Sequence, residues 1–165
     1  MIQLLFGAVQ MVGQSSTPVL VLHEQDGTRS LALWISAGAA AAILSAMEAE
    51  SLDHPSTHDL LLEALATQSV VVETVTLLSV TEGVYDAQLT VNGSAVTCRA
   101  SDGIALALRS GAPILVPEQL LAEHGFSAEP ATEEPGHEDA EAVEVRQFRE
   151  FLANVRADDF DKPGP

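Results

Sequence analysis

The chain has 165 residues, 47% of them hydrophobic, and a single cysteine, Cys98. That length suits one domain plus an appendage with a real core, and a lone cysteine excludes an internal disulfide framework and a cysteine-based zinc site. The net charge is −17, with 13 acids against 3 bases (Arg29, Arg99, Arg109) up to Gly125 and 11 against 4 beyond it, so the chain lacks the basic stripe with which nucleic-acid binders meet phosphates.

Ile2 to Val12 reads as a first strand. It has no basic flank and no cleavage site, so it is not a signal peptide. No apolar run reaches the roughly 18 residues of a membrane span; a cytoplasmic protein without a membrane partner is expected. Thr17 to His23 and Arg29 to Ile35 read as the next two strands, with Asp26-Gly27 as the hairpin signal between them. Ser36 caps a helix from Ala37 to about Glu50, with Ile43, Leu44 and Met47 on one side.

Ser51 to Ser56 is a connector containing Asp53, His54 and Pro55. Ser56 and Asp59 have capping-box spacing, so a helix is predicted from Thr57 to about Thr67, with Leu61, Leu62 and Leu65 as its stripe. A β-branched run, Val70 to Val80, turns at Thr81-Glu82-Gly83 and returns as Val84 to Val91. Asn92-Gly93 is the best two-residue hairpin signal in the chain, and Ser94 to Arg99 follows as a third strand containing Cys98, read as a small buried residue.

The stretch Val96 to Val116 then runs strand, helix, strand. Ser101 is the expected N-cap, Asp102 suits the positive end of the helix dipole, and Ile104 to Leu108 are apolar almost all round, as in a buried helix. Gly111 and Pro113 stop it, and Ile114 to Val116 form a short buried strand. Glu118 to His124 is a short helix ended by Gly125. The expected layout is α+β: antiparallel or mixed sheets of about seven strands with three to four packed helices, over residues 1–126. Residues 127–141 read as an acidic disordered linker, Ala142 to Val155 as an amphipathic helix suited to docking through Val145, Phe148, Phe151 and Leu152, and 156–165 as a tail.

Two polar clusters fall where a loop enters a helix: Thr57-His58-Asp59, with His54 just before it, and Arg99, Ser101 and Asp102. Backbone N–H groups at such junctions bind anions. A histidine, a carboxylate and an arginine are what phosphodiester hydrolysis requires, and carboxylates also suit Mg²⁺ or Mn²⁺. Each residue has a plainer role as well. Asp59 and Ser101 cap helices, Asp102 serves the dipole, Arg99 pairs with Asp102, and Arg109 suits a helix C-terminus. There is no nucleophile elbow, phosphate-binding loop, zinc-protease motif or dinucleotide fingerprint.

Several motifs occur in register: Leu33-Trp34-Ile35 before an alanine-rich helix, Thr57-His58-Asp59-Leu60-Leu61, the run from Arg99 to Arg109, Ala112-Pro113-Ile114, Phe148-Arg149-Glu150-Phe151-Leu152 and Asp158-Asp159-Phe160. Over nearly its whole length the chain thereby resembles the bifunctional nuclease domain family, in its actinobacterial branch. The resemblance implies nuclease activity on DNA or RNA. The family's Thr-His-Asp motif falls on Thr57, His58 and Asp59, and its Arg-Pro-Ser-Asp motif on Arg99, Ala100, Ser101 and Asp102, with Ala100 where the family commonly has Pro. Gly103 stands where Ala or Ser is common, and His54 near a common Arg.

The resulting expectation assigns His58, Asp59 and Asp102 to catalysis and Thr57, Arg99 and Ser101 to substrate binding. Asp59 and Asp102 would hold Mg²⁺ or Mn²⁺, and no organic cofactor is expected. DNA or RNA is the expected partner, and a homo-oligomer is left open. The alternative is a non-enzymatic regulatory, ligand-binding or protein-binding module on the same fold.

Overall fold

A computed structural model describes residues 1–13, 16–47 and 54–127. The end of the first predicted helix beyond Met47, Asp53, and the predicted linker from residue 128, final helix and tail lie outside the described residues.

The chain runs β1 (Ile2–Val12), β2 (Thr17–Glu24), β3 (Arg29–Trp34), α1 (Ala37–Met47), α2 (Thr57–Thr67), β4 (Val72–Thr81), β5 (Val84–Val91), β6 (Ser94–Arg99), α3 (Ala100–Ser110), β7 (Ile114–Val116), α4 (Glu118–His124) and β8 (Phe126–Ser127). This is the expected α+β class, with all strands in one mixed sheet of order β6-β5-β4-β7-β1-β2-β3-β8. Each meander is local: β1-β2-β3 and β4-β5-β6 are antiparallel throughout. The three-residue β7 joins them, antiparallel to β1 and parallel to β4. The Pro113 carbonyl accepts from the Val75 N–H at 3.0 Å, so the proline that stops α3 also opens this seam. The eighth strand was not expected. Ser127, assigned to the linker, pairs with Arg29, and Phe126 pairs with Ser30; two residues are too few to display a period of two.

The turns follow local chemistry. Glu82-Gly83 and Asn92-Gly93 both have positive φ at their two positions, the backbone hand that matches strand twist in two-residue hairpins. One residue inserted between Phe6 and Ala8 bulges β1, where a Cβ on Gly7 would lie 3.0 Å from the Val21 carbonyl oxygen.

α3 is the central helix. Ala100, Gly103, Ile104, Ala105, Leu106 and Ala107 are all buried, and full burial of a side chain such as Ile104 contributes about 1.5–3 kcal/mol. It packs on β4, β5 and β6, while α1 and α2 rest on it from outside. α2 contains no fully buried residue. Gly103 faces the sheet so closely that a Cβ there would stand 2.9 Å from Val75 Cγ1 and 3.1 Å from Cys98 Sγ. Glycine here is a packing requirement, beyond its cost to helix propensity. Its consequence is that the N-terminus of α3 sits down against the sheet, at the point where β6 ends.

Candidate functional site

The first turns of α2 and α3 meet. Ser56 is the N-cap of α2 with a complete capping box: its hydroxyl receives the Asp59 N–H at 3.4 Å, and the Asp59 carboxylate accepts from the Ser56 N–H at 3.3 Å and from its hydroxyl. This fixes the first helical turn, on which Thr57 and His58 precede Asp59. On α3 the N-cap is Arg99, with no side-chain cap. The expectation that Ser101 caps this helix is therefore corrected. β6 runs straight into α3, helical backbone begins at Ala100, and Ser101 already lies inside the first turn. The N–H groups at this end of α3 have no side-chain cap, and the end attracts negative charge.

His58 and Asp102 come together across the two helix starts, His58 Nε2 lying 3.8 Å from Asp102 Oδ1. Asp102 also accepts two hydrogen bonds from Arg99, from Nε at 2.6 Å and Nη2 at 3.1 Å. His58 and Asp102 are largely enclosed, with side chains 19% and 31% exposed. Arg99 is 80% exposed and retains guanidinium N–H groups beyond the two that it gives Asp102. The carboxylate raises the Arg99 pKa further, chiefly through these hydrogen bonds. Thr57 is exposed and Ser101 half-buried. Neither hydroxyl appears in a hydrogen bond among the described residues, so both are free to meet a ligand at this junction.

Asp59 faces a different partner. Its Oδ1 accepts from Arg109 Nε at 2.9 Å. Arg109 is buried, its side chain 6% exposed, and it also donates to the Ala42 carbonyl at 2.8 Å, the Ala105 carbonyl at 3.0 Å and Ser45 Oγ at 2.7 Å. One guanidinium thus ties α1, α2 and α3 together. The Ser56 hydroxyl, and after it Arg109, hold the Asp59 carboxyl below the usual carboxylate range. Consecutive residues of α2 therefore reach opposite ends of α3: His58 to Asp102, and Asp59 to Arg109 seven residues on, about 10 Å along the axis. Sequence reasoning placed Arg109 at a helix C-terminus serving the dipole. Its role as a clamp was not visible, because nothing in the spacing of Asp59 and Arg109 announces a pair.

His54 is exposed and makes no hydrogen bond or ion pair among the described residues. Cys98 lies under the junction, its thiol pKa raised by burial and then by Asp102. The donors do not form a ready site for Mg²⁺ or Mn²⁺. Both Asp59 oxygens are taken by Ser56 and Arg109, both Asp102 oxygens by Arg99, and among the described residues no three His, Cys, Asp or Glu side chains group as ligands. The junction can instead accept an anion, on the N–H groups of α3, the free edge of Arg99 and two hydroxyls, beside an imidazole backed by a carboxylate. Arg99 balances Asp102 and Arg109 balances Asp59, so the spot is locally neutral in a chain of net charge −17.

Residues 20–129 match the family model described as the bifunctional nuclease domain. Two uncharacterized proteins of Mycobacterium tuberculosis, from strains CDC 1551 / Oshkosh and ATCC 25618 / H37Rv, are each 35% identical to the chain over 160 residues, covering 93% of this chain and 98% of each relative.

Proposed function

The chain belongs to the bifunctional nuclease domain family, and from that premise we propose that it hydrolyses phosphodiester bonds of DNA or RNA where the starts of α2 and α3 meet. The observation that carries this reading is the approach of His58 to Asp102 within 3.8 Å, beside an exposed Arg99 and an uncapped helix N-terminus. A phosphodiester sits on the first-turn N–H groups of α3, with the free N–H groups of Arg99 on its oxygens and the Thr57 and Ser101 hydroxyls at its edge. Asp102 beside Nε2 favours the proton on that nitrogen, leaving the Nδ1 lone pair as the base.

Nδ1 takes a proton from water, the water oxygen bonds to phosphorus, and the bond from phosphorus to the leaving oxygen breaks. The leaving oxygen is then protonated from the imidazolium or from solvent. Asp102 stabilises the imidazolium formed in between, and Arg99 with the helix N-terminus stabilises charge developing on the phosphoryl oxygens. Asp59 orients: with Arg109 it fixes the turn that carries His58.

The test is cleavage of single-stranded DNA and of RNA by the purified full chain, with Mg²⁺, with Mn²⁺ and with a chelator, beside His58→Ala and Asp102→Ala. Loss in both variants supports the reading. Equal cleavage by wild type and variants assigns the activity to a contaminant and sinks it. The net charge of −17 favours a second reading, a non-enzymatic anion-binding module at the same junction. Saturable phosphate binding that needs Arg99, without cleavage under any of these conditions, would select it.

A further inference from the structure

A substrate with many phosphates needs many cations, and the described side chains offer one free arginine. Up to Gly125 the lysines and arginines are Arg29, Arg99 and Arg109. Arg29 is held between Glu24 and Glu118, each at 2.7 Å. Arg109 is buried on Asp59. Arg99 alone is open to solvent with N–H groups to spare. The four bases beyond Gly125 share their stretch with 11 acids. The surface beside Arg99 is acidic. Asp86 on β5 stands directly opposite Arg99 on β6 in the antiparallel register, so the two side chains leave the same face of the sheet from Cβ atoms about 5 Å apart. Asp86 is exposed. Its carboxylate accepts from the Ser79 hydroxyl at 2.8 Å, and no cation lies within ion-pair distance of it among the described residues. The Glu82-Gly83 turn joins β4 to β5 at this same end of the sheet, and Glu82 is exposed as well. Tyr85, the aromatic beside Asp86, packs against the core rather than offering a face on which a base could stack.

We infer that the junction selects substrates with one phosphodiester and no charged neighbour, a dinucleoside monophosphate being the simplest, and that Asp86 is the residue that sets this limit. The inference rests on the reading of the junction as a phosphodiesterase. A single phosphate on the first-turn N–H groups of α3 is matched by the free edge of Arg99. In a longer strand the next phosphate on the β5 side falls near Asp86 and Glu82, with no second free arginine among the described residues to offset them. Binders of long single strands meet this need with a positively charged groove that follows the backbone for about 4 nucleotides or more. Here the sign of the charge reverses on the strand next to Arg99. The repulsion reaches furthest at low salt and is screened beyond about 10 Å at 0.1 M. A nucleoside that ends in a hydroxyl has no charge for Asp86 to repel.

The experiment compares kcat/KM per linkage for the purified full chain on a dinucleoside monophosphate and on a long single strand, at about 0.01 M and about 0.1 M salt. The dinucleoside is expected to be favoured about fivefold or more at the lower salt, and the gap to narrow at the higher, because only the long strand carries flanking charge. Asp86→Asn keeps an acceptor for Ser79 and removes the charge. It is expected to raise cleavage of the long strand about threefold or more at low salt and to leave the dinucleoside within about twofold of wild type. A trinucleoside whose second linkage is an uncharged methylphosphonate is expected to behave as the dinucleoside does, which separates charge from length. A long strand favoured at low salt overturns the inference, and so does Asp86→Asn moving both substrates alike. Cleavage of none of them sinks the catalytic reading, and NMR titration with the same substrates then decides the inference. Tighter binding of the dinucleoside at low salt supports it. Equal or tighter binding of the long strand, or binding of neither, overturns it.

Discussion

Replacing Arg109 by alanine removes a side chain that joins α1, α2 and α3. Four hydrogen bonds go: to Asp59 at 2.9 Å, Ala42 at 2.8 Å, Ala105 at 3.0 Å and Ser45 at 2.7 Å. Hydrogen bonds involving a charged group contribute about 1.5–3 kcal/mol each, and breaking a buried ion pair costs about 3–5 kcal/mol. Both figures need lowering here. Asp59 is 37% exposed and keeps its capping box with Ser56, so its carboxylate is left hydrated and partly partnered. A loss of about 3 kcal/mol remains, or roughly 10 °C in thermal midpoint for a domain of this size. Arg109→Lys keeps the charge but cannot span four acceptors, and falls between wild type and alanine. Urea denaturation followed by circular dichroism measures both, and a cycle with Asp59→Asn isolates their pair, expected at about 1 kcal/mol. Arg109→Ala within about 0.5 kcal/mol of wild type, the range of an ordinary surface change, would refute the clamp and with it the positioning of His58 through Asp59.

Gly103→Ala gains up to about 1 kcal/mol of helix propensity but drives a Cβ to 2.9 Å from Val75 Cγ1, in a buried strand residue that cannot swing aside. Overpacking costs about 1–3 kcal/mol, so a net loss near 1 kcal/mol is expected in the same urea assay, and a stabilised variant would contradict the packing role of Gly103. Hydrogen bonds from Arg29 hold the carboxyls of Glu24 and Glu118 below their ordinary range, those from Thr28 hold Asp26 there, and Ser56 does the same for Asp59. Groups lowered in the fold stabilise it above their ordinary pKa and lose that contribution as pH falls through the lowered one. The urea midpoint should therefore fall between about pH 5 and pH 2, less steeply in Arg29→Ala; equal slopes would count against it. A chain of net charge −17 repels nucleic acid at long range, and screening shortens that range from about 30 Å at 0.01 M salt to about 10 Å at 0.1 M. kcat/KM on single-stranded substrate should rise over this interval, opposite to basic nucleases, and a monotonic fall would show that another part of the chain captures the substrate.

Most of the fold was legible because its signals are local. The hairpins announced themselves through Asp26-Gly27, Glu82-Gly83 and Asn92-Gly93, and α2 through the Ser56–Asp59 box, whose bonds the structure contains. Boundaries moved where geometry between distant segments decided them. α3 starts at Ala100 rather than after Ser101, because β6 delivers the chain directly into the helix. Phe126–Ser127 becomes a strand only because β3 lies alongside. The joining of two meanders into one sheet through Ile114–Val116 is likewise non-local. Of the candidate site, the residues could be named from sequence but not their pairing. His58 and Asp59 are adjacent and chemically similar in prospect, yet one meets Asp102 and the other Arg109. That division depends on how α2 crosses α3, which no periodicity encodes.

The division also supplies the most direct test of the proposed chemistry: initial cleavage rates and urea midpoints measured together for Asp102→Asn and Asp59→Asn. The account predicts that Asp102→Asn loses cleavage by about 100-fold or more, the scale of a lost general-base partner, while staying near wild-type stability. Asp59→Asn should lose stability first and retain measurable cleavage. The reverse pattern, with Asp59 required for cleavage and Asp102 dispensable, would contradict it.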